Sequence, residues 1–193
     1  MKEPVLEDAH RALRTAVAGV PADGWHRPTP CEQWDVTQVL QHAAGDQVAY
    51  AARLTGGPGP AYDPFAPSGM LDTNPTELLE PALTGVSAAF AAVGPPDVEV
   101  AVPLPPFTLP ARHAAGAAAL DAAVHAWDIA IATGQPSPLT PDLARALRPI
   151  ADLLADPLRG FAYGPAIEPP PDADDATALL NHLGRRADWT AGP

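Results

Sequence analysis

Proline is the feature of this sequence that most restricts how the chain can fold. The 193 residues include 26 prolines, and most of these lie in a few segments. Because proline lacks an amide donor and its ring clashes inside a helix, long helices are expected between those segments. Apolar residues recur there at helical spacing, which predicts helices over about 5–19, from about 36 onward, over about 75–93 and over about 111–133.

Residues that favour helix ends support these boundaries. Asp35 is a predicted N-cap, and Gln38 three residues later completes a capping-box pattern. Asn74 lies near the start of the third helix. Thr140, followed by Pro141 at the first helical position, predicts the start of a fifth helix. A last short helix is predicted within the C-terminal stretch ATALLNHLGRR.

The segment 94–110 is too rich in proline to form a helix, and its alternating VEVAV stretch predicts a short strand or an extended cover over one end of a bundle. Four long helices with apolar stripes predict an all-α fold, a four-helix bundle. We expect a single domain over 1–193, with the bundle over about 5–134. A C-terminal extension over about 135–193 would contain a proline-rich loop and a short helical segment.

The formal net charge of −12 restricts the partners that the protein can bind. Nucleic acids and anionic membrane surfaces are unfavourable binding partners, because the negative charge of the protein would repel their phosphate groups. A single cysteine, Cys31, cannot form an intrachain disulfide. The N-terminus lacks the apolar run of a signal peptide, and no apolar stretch looks long enough to span a bilayer. We therefore expect a cytoplasmic protein, monomeric or homodimeric, that acts on a small molecule.

The fourth predicted helix carries three ionisable residues among alanines, in the stretch AALDAAVHAWDIAIATGQP. A helix advances about 100° per residue, so Asp121, His125 and Asp128 share one face. Small neighbours on that face would let another helix or a ligand approach closely. Charged side chains there are costly to bury unless they pair or bind a cation. Asp121 and His125, one turn apart, can converge on one ion or form a simple surface salt bridge.

A third metal ligand would come from another helix, and His42 on the second predicted helix is the best candidate. Two imidazoles and one carboxylate, with an open coordination position, match a catalytic zinc site or another nonheme divalent site. The ion would then lie between the second and fourth helices, near the loops 20–34 and 94–110. The polar face has another interpretation as a dimer seam, which would hold no metal.

Two motifs resemble those of a known family. TPCEQWDVTQVLQH (29–42) and LDAAVHAWDIAIATGQ (120–135) resemble the two signatures of the mycothiol-dependent maleylpyruvate isomerase-like proteins, in the DinB-like metal-binding superfamily. The stretch ALLNHLGRR is similar to the tail of the smaller members. The resemblance implies a DinB-like up-down four-helix bundle with a divalent metal, usually zinc, at one end. It also implies that His42, Asp121 and His125 are the ligands, and that a thiol such as mycothiol is a cosubstrate.

The chain departs from the family pattern in two ways. Asp121 stands where the isomerase itself has Glu, which is one methylene longer. We also expect this chain to lack the larger C-terminal domain of that enzyme. Both departures concern whether maleylpyruvate itself is the substrate.

Five further residues are candidates for roles around the ion. Asp128 and Asp46 are candidate catalytic residues. Asp128 has two other interpretations, as the acceptor that orients a ligating imidazole or as a merely structural hydrogen-bond partner. His26 and Arg27, in a loop near the same end of the bundle, are candidate substrate-binding residues. Cys31 is either a reactive thiol, if a helix N-terminus lowers its pKa, or a small buried residue.

The leading hypothesis is a divalent-metal-dependent enzyme that transfers a mycothiol-type thiol to a small electrophile or uses the thiol to isomerise it. A coordinated thiol is deprotonated near neutral pH and can attack an activated double bond. The loops 55–74 and 94–110 could close over the substrate. One alternative is a metal-dependent hydrolase or cyclase that uses no thiol. Another is a non-catalytic metal-binding module.

Overall fold

The computed structural model describes residues 4–191 and is almost entirely helical. The all-α prediction is confirmed, since the sheet in this range is a single pair of three-residue strands. The elements of the described range, in chain order, are α1 (Pro4–Ala18), α2 (Val36–Thr55), α3 (Pro75–Ala92), β1 (Glu99–Ala101), β2 (Thr108–Pro110), α4 (Ala111–Ala132), α5 (Pro141–Leu154), a 3₁₀ helix (Asp156–Leu158) and α6 (Asp175–His182).

The predicted caps hold the helix starts. The carboxylate of Asp35 accepts a hydrogen bond from the backbone N–H of Gln38 at 2.9 Å, and the side chain of Gln38 accepts from the backbone N–H of Asp35 at 3.1 Å. The Asn74 side chain accepts a hydrogen bond from the backbone N–H of Thr76, in the first turn of α3. Thr140 Oγ1 accepts from the backbone N–H of Leu143 at 3.2 Å. Each of these bonds satisfies a donor that the first helical turn leaves without a partner.

Helix α4 is the central helix of the bundle. It packs against α1, α2 and α5, and the two strands also contact it. Its residues are buried on nearly all sides. By length and composition alone α4 could cross a membrane, contrary to the expectation from the sequence, but 89% of the apolar window is buried inside the protein. The central position of α4 therefore explains why apolar residues occur on all of its sides.

Helix α3 continues through Pro81, which lies in its interior. An internal proline removes a backbone hydrogen bond and costs about 3 kcal/mol. Helix α3 packs mainly against α2, and its buried face includes Leu79, Leu83, Val86 and Phe90. Burial of these four side chains offsets the cost, because each stabilises by roughly 1.5–3 kcal/mol.

The VEVAV stretch forms a strand, one of the two structures predicted for it. Strand β1 pairs with β2 in antiparallel register, with Val100 opposite Leu109. The pair contacts α2 and α4, and Leu109 is buried there. The segment 94–110 is thus an ordered cover over one side of the bundle.

The segment after α5 folds back onto the bundle. Helix α6 packs on α5, and the backbone N–H of Ile167 donates to the carbonyl of Asn181 at 2.9 Å. Helix α6 ends at His182, earlier than predicted, because the chain turns at Gly184. That glycine has a φ of 82°, and a β-carbon there would lie 2.8 Å from the carbonyl carbon of Gly164. The turn directs the next residues toward α4.

Candidate metal centre

Helices α2 and α4 bring together the three residues that the sequence predicts as metal ligands. His42 lies on α2, and Asp121 and His125 lie one turn apart on α4. Nε2 of His42 is 3.4 Å from Oδ1 of Asp121, and Nε2 of His125 is 3.3 Å from the same oxygen. One ligand atom from each of the three residues lies within 4.8 Å of the others. Both histidines are buried, whereas 15% of the Asp121 side chain is exposed.

Hydrogen bonds at Nδ1 fix both imidazole rings. Nδ1 of His42 donates to the carbonyl oxygen of Pro64 at 2.9 Å. Nδ1 of His125 donates to Oδ2 of Asp128, also at 2.9 Å. Because carbonyl and carboxylate oxygens only accept, each Nδ1 carries a proton. In a neutral ring Nε2 is then the unprotonated nitrogen that can bind a cation, and in a charged ring Nε2 carries a second proton that it can donate to Asp121.

Asp121 has a buried carboxylate oxygen that no donor among the described residues reaches. Its Oδ1 faces the two Nε2 atoms, and its Oδ2 is buried with no hydrogen-bond partner among the described residues. A buried carboxylate oxygen in this state is costly unless a cation is present. Ligand atoms at the usual bond lengths of a tetrahedral zinc ion lie about 3.3 Å apart, close to the two observed N–O separations. The donor set therefore fits a divalent ion.

The charges of this cluster shift its pKa values in the metal-free protein. Burial opposes the ionised form of Asp121, but the charge of His125 and hydrogen bonds from His125 and His42 hold the pKa of Asp121 below its usual value. Burial also opposes the charged form of His125, but Asp121 and Asp128 raise the pKa of His125 to about 9. A proton on His125 thus supplies the positive charge when no metal is bound.

Asp128 and Arg185 support His125 from the side away from Asp121. Asp128 is completely buried. Arg185 donates from Nε to Oδ1 of Asp128 at 3.0 Å and from Nη2 to Oδ2 at 2.9 Å. Burial alone would raise the pKa of Asp128, but the Arg185 charge and the hydrogen bond from His125 hold it below its usual value. This geometry suits the orienting interpretation of Asp128, because both of its oxygens are occupied.

Arg185 was not predicted as a site residue from the sequence. The only local signal was its place in the pair of adjacent arginines, and it is separated from Asp128 by 57 positions. The turn at Gly184 is what brings the guanidinium to α4. A buried carboxylate on α4 without a local cation was the sign that some distant arginine had to reach it.

A loop between α2 and α3 holds His42 through the Pro64 carbonyl. A β-carbon at Gly45 would lie 2.9 Å from the ring of Pro64, so glycine lets this loop approach α2. The hydroxyl of Tyr62 donates to the backbone carbonyl of Gln41 at 2.6 Å, and the Gln41 side chain donates to the carbonyl of Met70 at 2.7 Å. The segment predicted as a closing loop is therefore anchored to α2 as a wall.

Asp46 lies one turn after His42 and lines the same cavity. It is buried, and its Oδ1 has no hydrogen-bond partner in the range 4–191. Burial and the negative charge of Asp121 raise the pKa of Asp46 well above its usual value. The shift favours the protonated form of Asp46 in the metal-free protein, and a protonated carboxyl group can donate a proton.

A cavity of about 530 Å³ opens beside the cluster, between α2 and α4. The loop before α2, the segment with the two strands and the C-terminal segment form its walls. Apart from the cluster itself, its main lining residues are Pro30, Cys31, Glu32, Gln33, Trp34, Tyr50, Phe65, Val102, Leu104, Pro105, Leu109, Leu154, Leu158, Phe161, Tyr163 and Arg185.

His26 and Arg27 do not line this cavity. The His26 side chain is 79% exposed, and its Nδ1 lies 3.3 Å from Oδ2 of Asp35. Arg27 forms an exposed ion pair with Asp23 at 3.0 Å. The later part of the same loop, 30–34, faces the cavity instead. The structure thus gives no support to the substrate-binding prediction for His26 and Arg27.

Cys31 lines the cavity, but its environment opposes the thiolate. Burial and the negative charge of Asp128 raise the pKa of the Cys31 thiol to about 12. The helix N-terminus therefore does not activate it, and the structure favours the interpretation of Cys31 as a small packed residue.

Comparison with known proteins agrees with this fold. Residues 6–130 match the family described as mycothiol maleylpyruvate isomerase N-terminal domain. Two relatives from Mycobacterium tuberculosis, "Uncharacterized protein Rv0738" of strain H37Rv and "Uncharacterized protein MT0763" of strain CDC 1551, are each 32% identical over 187 residues. The alignment covers 93% of this chain and 94% of each relative.

A solved structure shares the fold. The crystal structure of a mutant of the mycothiol-dependent maleylpyruvate isomerase superposes with a TM-score of 0.68 at 15% sequence identity. The match covers 95% of this chain and 88% of that chain. The DinB-like fold predicted from the two motifs is therefore confirmed.

Proposed function

Because this chain belongs to the mycothiol maleylpyruvate isomerase N-terminal domain family, we propose that it is a divalent-metal-dependent enzyme that joins a mycothiol-type thiol to a small electrophile or isomerises the electrophile with the thiol's help. One observation carries the proposal. The Nε2 atoms of His42 and His125 and the carboxylate of Asp121 converge beside a cavity, and Oδ2 of Asp121 has no hydrogen-bond partner among the described residues. A small-molecule substrate and a cytoplasmic location are part of the proposal.

His42, Asp121 and His125 would hold the ion, and zinc is the metal that this donor set favours. When bound, a divalent ion lowers the pKa of a coordinated thiol so that the sulfur is a thiolate at neutral pH. Nδ1 of His42 donates to the Pro64 carbonyl, and Nδ1 of His125 donates to Asp128. In both rings Nε2 is therefore the nitrogen that is left to bind the ion. The protein thus orients the ligands before any ion binds.

Other side chains would act on the substrate. Asp46 lines the cavity near the cluster, and its carboxyl group would pass a proton to the substrate atom that gains negative charge. Asp46 would then recover a proton from solvent. The apolar walls would exclude water from the thiolate, which strengthens the electrostatic interactions in the site.

Turnover of the metal-loaded protein tests the proposal. Mycothiol is mixed with maleylpyruvate, or separately with an activated alkene, and loss of free thiol and isomer formation are followed. We expect turnover that needs the thiol, and a loss of at least about 100-fold for His125→Ala. His10→Gln, which changes a histidine outside the cavity, is the matched control and retains the activity. Turnover that is equal without thiol would contradict the thiol proposal and favour a hydrolase or cyclase, and no turnover at all would favour a non-catalytic module.

A further inference from the structure

The mouth of the cavity carries a pair of phenylalanines that the proposed chemistry does not use. Phe65 comes from the loop between α2 and α3, and Phe161 from the segment after the 3₁₀ helix. Their ring centroids are 5.3 Å apart. Phe161 is 62% exposed and Phe65 37% exposed, although both line the cavity. Adjacent exposed aromatic rings at a cavity mouth indicate a surface that a ligand covers.

The aromatic surface continues from the mouth to the candidate metal ligands. The Phe65 ring lies 5.1 Å from the imidazole of His42 in an edge-on arrangement. The Trp34 ring lies 4.6 Å from the same imidazole on a tilted plane. A planar apolar group that enters past Phe161 would therefore contact aromatic rings along its whole path. The opposite wall is also apolar and includes Val102, Leu104, Pro105 and Leu109.

We propose that Phe65 and Phe161 determine specificity, and that they select an electrophile with a planar apolar group, such as an aryl vinyl ketone. The inference rests on the proposed function. In the reaction, the thiol sulfur forms a bond to the terminal alkene carbon, and the π pair moves to the carbon next to the carbonyl. That carbon takes up one proton while the thiol loses one, so the addition needs no oxidant or reductant.

A binding experiment tests the inference without turnover. Calorimetric titration of the metal-loaded full chain compares propiophenone, which is unreactive, with butanone, which keeps the ketone but has no ring. We expect wild type to bind propiophenone at least about tenfold more tightly, since only propiophenone has a ring that can pack on the two phenylalanines. Phe65→Ala and Phe161→Ala should each weaken propiophenone binding about three- to tenfold, the loss typical of an aromatic contact. Phe107→Ala, at an exposed phenylalanine outside the lining residues, should bind like wild type.

A kinetic experiment uses the reactive counterparts, phenyl vinyl ketone and methyl vinyl ketone, each with mycothiol and each corrected for its uncatalysed rate. We expect the two phenylalanine variants to raise KM for phenyl vinyl ketone and to leave kcat, KM for methyl vinyl ketone and KM for mycothiol nearly unchanged. Equal or tighter binding of butanone, no binding of propiophenone, or Phe65 and Phe161 variants that match Phe107→Ala would overturn the inference. Phenylalanine-dependent binding without any turnover would support it and contradict only the proposed function.

Discussion

Two buried polar clusters lie in the same helical bundle and differ in how completely their hydrogen bonds are satisfied. The first, which we call the His10 network, joins α1, α2, α3 and α4. Ser87 donates to Nδ1 of His10 at 3.3 Å, Nε2 of His10 donates to the Gln47 side chain at 3.1 Å, and Gln47 donates to the carbonyl of Ala118 at 3.0 Å. Every contact pairs one donor with one acceptor, and the groups are neutral.

The second, which we call the His42 cluster, contains His42, Asp121 and His125 with their partners. Its acceptors outnumber its donors, and an oxygen of Asp121 has no partner in the described range. Neighbouring residues of α2 serve both clusters: Gln47 belongs to the His10 network, and Asp46 faces the cavity. A buried histidine alone is therefore weak evidence for a metal site. Buried acceptors that lack donors are stronger evidence, because a cation would satisfy them.

The largest expected effect is on metal content. Protein purified without a chelator or a histidine tag should carry about one divalent ion per chain, and His125→Ala should lose most of it because a ligand atom is removed. Elemental analysis measures the ion. His10→Gln should keep the wild-type content, and equal content in His125→Ala and wild type would remove the distinction between the two clusters.

A smaller effect is expected for the residue that orients His125. Asp128→Asn should weaken metal binding about 10–100-fold, because the amide is a poorer acceptor for Nδ1 and leaves Arg185 without its buried counter-charge. Competition with a chromophoric chelator measures the affinity. Helix content from circular dichroism is the control, and wild-type affinity in a folded Asp128→Asn protein would show that the hydrogen bond is merely structural.

For the free energy of unfolding we expect the opposite order, with a larger loss from a substitution in the His10 network than from one beside the His42 cluster. Gln47→Ala leaves a buried His10 nitrogen and the Ala118 carbonyl without partners, so we expect a loss of about 1–3 kcal/mol in the free energy of unfolding. Asp46→Asn should cost less than about 1 kcal/mol, because burial already favours the neutral form of Asp46, which an amide resembles, in the metal-free protein. Urea denaturation of metal-free protein measures both values. A larger loss for Asp46→Asn than for Gln47→Ala would reverse the comparison.

The smallest effect is a pair of opposite pH slopes in the stability of metal-free protein. Burial lowers the pKa of His10 below 6.5, so the unfolded chain binds that proton more readily and His10 makes stability fall as pH drops below 6.5. The pKa of His125 is raised to about 9, so its contribution is complete below pH 6.5 and is lost as pH rises through 9.

Each slope is at most about 1.4 kcal/mol per pH unit, the value for one proton. Denaturation at a series of pH values measures the slopes for wild type, His10→Gln and His125→Gln. The first variant should remove the acid slope and the second the alkaline slope. Loss of the same slope in both variants would show that the assignment to separate clusters is wrong.

Much of the fold follows from local sequence. The Asp35–Gln38 capping box and the Thr140 cap were predicted from residue types alone, because their hydrogen bonds join residues three positions apart. Helix α4 shows the limit of such reasoning. Helical angles separated an apolar stripe from a polar one, whereas the structure buries both, since neighbouring helices surround α4 on all sides.

Local sequence accounts for the long helices, their capped starts and the one-turn spacing that places Asp121 and His125 side by side, since all of these depend on contacts within a few residues. Tertiary structure decided what each of these side chains meets. The Pro64 carbonyl reaches His42 because Gly45 admits the loop, and Arg185 reaches Asp128 because the chain turns after α6. Such partners are far apart in the chain, so only the packing of whole segments brings them together and sets the charge that each site contains.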